Sequence, residues 1–122
     1  MAEEYPLDSG YKYNQSYIRV DGKLTQVPHG TPHSQRPDFY NPTVNHIVEV
    51  KNYTITTEAG RNSLANNIAT QYNSRKNMFP NAEIEFSVDV CGQQYTQTML
   101  DDVLNRVYHL LGNSDIISFI FN

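Results

Sequence analysis

The succession of hydrophobic periodicities along this chain predicts an α+β fold, a central mixed β-sheet flanked by helices. Three stretches carry that expectation. Glu83 to Val90 alternates strictly, with Ile84, Phe86, Val88 and Val90 facing one way and Glu83, Glu85, Ser87 and Asp89 the other. That two-residue period belongs to a half-buried strand. From Glu58 to Asn77, Leu64, Ala65, Ile68, Ala69 and Tyr72 recur at helical spacing, and Pro80 lies beyond the end. Tyr17 to Val20 and Lys23 to Val27 flank Asp21-Gly22, a pair that tolerates the positive φ values of a two-residue hairpin turn.

The remaining elements fall between these. Residues 1–16, with Pro6 and Gly10, read as an irregular N-terminal segment, and 17–122 as a single domain. Pro28 to Pro37 is a loop. Asp38 to Tyr40 is extended, Asn41-Pro42 reverses the chain, and Val44 to Ile55 continues as a strand. Cys91-Gly92 ends the alternating strand. A second helix is expected from Thr98 to Leu111, with Met99, Val103, Val107 and Leu110 inward. Thr98 and Asp101 have the spacing of a capping box, and Gly112 fits the stop. Ile116 to Phe121 is expected as a buried closing strand.

Composition narrows the classes of function. A chain of 122 residues supports one real core, and nine Tyr with five Phe supply its bulk. No apolar run approaches the roughly 20 residues of a membrane span, and the first residues lack the basic and apolar regions of a signal peptide. Cys91 is the sole cysteine, which rules out an internal disulfide and cysteine-based zinc clusters. The net charge of −4 weighs against nucleic acid as a partner. Between Gly10 and Pro80, however, eight basic residues face four acidic ones, so a basic face is compatible with the sequence.

The stretch RPDFYNPTVNHIVEVKNY, Arg36 to Tyr53, places charged groups in segments otherwise suited to a core. Glu49 and Lys51 share one face of a strand, roughly 7 Å apart. Reversal at Asn41-Pro42 carries Asp38 alongside Glu49. Two adjacent carboxylates repel unless a cation sits between them. A hard divalent ion with oxygen ligands answers that need, Mg²⁺ first, with Mn²⁺ or Zn²⁺ as alternatives. Beside it, Lys51 would hold or help deprotonate a water that attacks phosphorus.

Pro37-Asp38 followed by Glu49-Val50-Lys51 resembles, residue by residue, the motif of the PD-(D/E)XK nuclease superfamily. The phrases Arg36-Pro37-Asp38-Phe39 and Val48 to Tyr53 look in particular like the C-terminal nuclease domains of bacterial polymorphic and contact-dependent growth inhibition toxins. The resemblance implies a restriction-endonuclease-like core. It implies metal binding by Asp38, Glu49 and the Val50 carbonyl, with Lys51 acting on water. The following helix often supplies a Gln and a basic residue in such proteins, and Gln71 and Arg75 occupy suitable places, Gln71 to position water and Arg75 to grip a phosphate. Many members also carry an acidic ligand on an N-terminal helix. Glu3 and Glu4 stand in that region, but Pro6 and Gly10 oppose a helix there.

Arg36, His33 in the loop before Asp38, and Tyr53 on the face of Lys51 complete the candidate contacts to nucleic acid. The expected function is a metal-dependent endonuclease, DNA slightly favoured over RNA or tRNA. The resemblance implies a toxin domain of a larger delivered or secreted protein, acting in the target cell's cytoplasm and neutralised by a cognate immunity protein. The alternatives are a non-catalytic module that binds nucleic acid or protein, and a restriction or repair nuclease.

Overall fold

This computed structural model describes residues 10–121. The elements are β1 (Lys12–Tyr13), β2 (Ser16–Val20), β3 (Lys23–Val27), β4 (Phe39–Asn41), β5 (His46–Lys51), α1 (Glu58–Met78), β6 (Glu83–Asp89), α2 (Gln97–Leu111) and β7 (Ile117–Ile120). Five strands form a mixed sheet in the order β1-β4-β5-β6-β7, and β2 and β3 form a separate hairpin. The α+β class with a mixed sheet therefore holds. The chain divides into two compact units, with boundaries after Glu49, Asn73 and Ile84.

In the first unit, β4 pairs antiparallel with β5, Phe39 opposite Val48 and Tyr40 opposite Ile47. The connection between them is built by Asn41, whose Oδ1 accepts from the backbone N–H of Thr43 and Val44 at 3.0 and 3.4 Å. This side-chain mimicry of a turn lets the reversal run through Asn45, at φ 52, so β5 starts at His46 rather than Val44. The hairpin forms as its Asp-Gly predicts, Asp21 and Gly22 both taking positive φ. Tyr17, Tyr40 and Phe79 meet edge to face, with ring centroids 5.0 to 6.0 Å apart, and form this unit's aromatic core. Arg19, at the hairpin's end, donates through Nε to the carbonyl of Met78 at 2.8 Å, so it satisfies the C-terminus of α1.

In the second unit, Leu64, Ala65, Ile68 and Ala69 are buried, as their spacing requires. At the start of α1, Thr57 Oγ1 accepts from the Gly60 N–H at 3.1 Å. The face of α2 is Leu100, Val103 and Val107, whereas Leu110 is exposed. Its N-cap is Thr96, whose side chain accepts from the Met99 N–H, and Gly112 closes the helix at φ 74. The Thr98–Asp101 box does not form, because the helix starts one residue earlier and Asp101 instead accepts from Gln97 Nε2 at 2.9 Å. Thr96→Ala should therefore cost about 1 kcal/mol in urea unfolding, and Thr98→Ala much less.

Two expectations about strands change. Ser87 is buried and Glu85 and Asp89 are half-buried, so β6 is covered on both faces around its middle. The closing strand is half-exposed, with Phe121 at 49 %. It pairs in parallel with β6, Phe86 opposite Ile117, and has no described neighbour on its other side. A short apolar run broken only by Ser118 fits an edge strand as well as a central one. Also unforeseen is β1, which pairs with β4 through Lys12–Tyr40 and Tyr13–Phe39. Glu3 and Glu4 lie outside the described residues.

Candidate functional site

The β4–β5 register places Phe39 opposite Val48. One step further, Asp38 stands across from Glu49. Its backbone N–H donates to Glu49 Oε1 at 3.3 Å. The chain reversal inferred from Asn41-Pro42 thus brings together the two carboxylate residues that the motif predicted.

Glu49 is 1 % exposed, and its charge is met by Arg75 on α1. Arg75 Nε donates to Oε2 at 2.9 Å, and Nη2 reaches Oε1 at 3.5 Å. The same guanidinium donates through Nη1 to Gln35 Oε1 at 2.7 Å and through Nη2 to the Arg36 carbonyl at 3.4 Å. Gln35 in turn donates to the Ser74 carbonyl at 2.9 Å. A flat fork of donors therefore locks the loop before Asp38 to the helix, and it does so through a buried charge.

The electrostatics of Glu49 follow from this enclosure. Burial pushes its carboxyl above the ordinary range; the hydrogen bond and charge of Arg75 pull it back, and the negative charge of Asp38 pushes it up again. Burial and the neighbouring anion thus work against the ionised form of Glu49, and Arg75 works for it. Its two oxygens are unequal. Oε2 has a short bond to Arg75 Nε, while the two bonds described for Oε1 are long.

Lys51 follows two places along β5 and is half-buried. Strand alternation puts it on the Glu49 side. Arg36 is exposed and its Nη1 lies 3.2 Å from His29 Nδ1, while His33 is exposed with φ 65. Tyr53 lies beyond β5, half-buried, and its carbonyl accepts from Gln93 Nε2 at 2.8 Å. Gln71 is half-buried on α1, its Oε1 enclosed and without a hydrogen-bond partner.

The first unit thus joins Asp38, Glu49, Arg75 and Arg36. Arg75 enters as the partner of Glu49, with its fork already occupied, rather than as an open arginine. Gln35 escaped the sequence reading because a loop glutamine has no periodicity to mark it. The only available signal was its place two residues before Pro37-Asp38. Among the described residues no three His, Cys, Asp or Glu side chains converge. No protein-family model, curated protein or solved structure matches this chain.

Proposed function

We propose that this chain is a metal-dependent endonuclease that hydrolyses phosphodiester bonds, with Asp38, Glu49 and Lys51 at its centre. The observation that carries the reading is the pairing of Asp38 across from Glu49, where the charge of Asp38 pushes the Glu49 carboxyl up, with Lys51 two residues on. The donors suit a hard divalent ion, which takes one or two carboxylates and completes its shell with water and phosphate oxygens. Asp38, Glu49 and the Val50 carbonyl are the groups assigned to hold it. When bound, such an ion neutralises the negative charge that builds on phosphorus.

The chain's own residues account for the remaining parts. Hydrolysis adds a water oxygen to phosphorus and breaks one P–O ester bond. The water loses a proton and the leaving sugar oxygen gains one. Lys51 is assigned to holding the attacking water. Arg75 counters the effect of burial on Glu49 and so favours the ionised form that a cation needs. The resemblance to toxin nuclease domains further suggests delivery as part of a larger bacterial protein, action in a target cytoplasm and a cognate immunity protein.

A second reading rests on the Arg75–Glu49 ion pair. A carboxylate already matched by a buried arginine also suits a purely structural lock, and the fold would then serve binding without hydrolysis. One experiment separates them. Plasmid DNA, total RNA and tRNA are incubated with the purified chain in Mg²⁺, Mn²⁺ or Zn²⁺, with EDTA and Lys51→Ala as controls. Cleavage should fall at least about a hundredfold in both controls. Retained binding with no cleavage in any metal would establish the binding module instead.

A further inference from the structure

An open cleft of about 620 Å³ lies in the first unit, lined by Lys12, Tyr13, Asn14, Gln15, Gln26 and His29. None of these is an acid, although the chain as a whole carries a net charge of −4. The Tyr13 ring is 41 % exposed, and Phe39 supports it at a centroid distance of 5.9 Å with the planes tilted by 39°. The amides are ordered among themselves: Gln26 Nε2 donates to Gln15 Oε1 at 2.9 Å, and Gln15 Nε2 to the Tyr13 carbonyl at 3.2 Å. Arg36 adds a second cation at the edge through its 3.2 Å contact with His29. The cleft's lining strand adjoins the backbone of Asp38, because the Asn14 N–H donates to the Asp38 carbonyl at 3.1 Å and Tyr13 pairs with Phe39.

A supported, exposed aromatic ring, flanking cations and side-chain amides without a carboxylate match the chemistry of an unpaired nucleotide. The ring offers a stacking face, the cations meet phosphate, and amides reach base edges. A duplex keeps its base faces stacked inside and cannot use such a ring. We propose that this cleft seats a single-stranded stretch of nucleic acid next to Asp38, with Tyr13 stacking a base and Lys12 contacting phosphate. The proposal deepens the endonuclease reading by naming an unpaired strand as its substrate, and it rests on that reading only for what happens to the bound strand.

The test measures binding in EDTA, where hydrolysis is blocked, by anisotropy of labelled oligomers of about eight nucleotides. Oligo-dT and oligo-U distinguish the sugars, and a duplex and polyglutamate serve as comparisons. Single strands should bind more tightly than duplex. Tyr13→Ala should weaken them about tenfold and Tyr13→Phe little. Lys12→Gln should reduce the salt dependence by about one phosphate contact. Because the chain has no tryptophan, Tyr13→Trp provides a second readout, whose emission should be quenched as oligomer binds. Equal affinity for duplex, equal competition by polyglutamate, an unaffected Tyr13→Ala or unchanged Trp emission would each overturn the proposal. Binding through Tyr13 without cleavage in any metal would remove the hydrolase and keep the cleft. Cleavage indifferent to Tyr13→Ala would do the reverse.

Discussion

Replacing Arg75 with Met is expected to cost about 3–5 kcal/mol of stability near neutral pH, the range for removing one partner of a buried ion pair. The penalty is that large because Glu49 is almost wholly enclosed and loses its only described cation, while Gln35 Oε1 loses its donor. The dependence on pH identifies the cause. In the parent chain the Glu49 carboxyl already lies above its unfolded value, raised first by burial. Without Arg75 the two largest pulls that lower it vanish and only the Asp38 N–H hydrogen bond still lowers it, while burial and the charge of Asp38 raise it. The native state then binds a proton more tightly than the unfolded state, so stability falls as pH rises through that wider window. Acidification should protonate Glu49 and shrink the deficit of Arg75→Met relative to the parent. Urea unfolding of both proteins from about pH 7 to about pH 4 measures this. A gap that stays constant would mean that the bonds to Gln35 and Arg36, and not the charge of Glu49, set the cost.

Gly60→Ala is the second large effect. Alanine is ordinarily the better helix residue by about 1 kcal/mol. Here a Cβ would sit 1.9 Å from the Thr54 carbonyl oxygen and 3.0 Å from Thr57 Oγ1, the atom that caps the helix. Backbone cannot yield as a flexible side-chain tip can, so the segment before α1 must move and its cap must open. Overpacking of this kind costs about 1–3 kcal/mol or more, which exceeds the gain in propensity. Net destabilisation in thermal or urea unfolding is expected. A rise in stability would show that the Thr54 to Gly60 approach relaxes without cost.

What the sequence made legible follows from how each signal arises. Alternation in β6, the Asp-Gly hairpin and the α1 stripe are repeated signals, and each repeat constrains the next. β1 spans two residues, too few to show any period, and it forms only because β4 offers an edge. For α2 the signal was strong but its phase was shared between two threonines, and the helix took the earlier one. At the site, Asp38 and Glu49 were readable because a turn and a strand fix their register. Arg75 was expected to grip a phosphate, and its commitment to Glu49 was not legible. That pairing depends on the distance between a helix and a strand, which no local pattern encodes. Gln35 belongs to the same class.

The outer rim of β7 has a further consequence. From Ile116 to Phe121 there is no charged side chain, and among the described residues no strand pairs with the outer edge of β7, which carries half-exposed Ile and Phe. Native folds usually guard such a border with a lysine, a proline or a bulge. At high concentration this stretch is the place where one molecule can zip onto the next, so a crowded solution of the isolated chain is prone to self-association into ribbons.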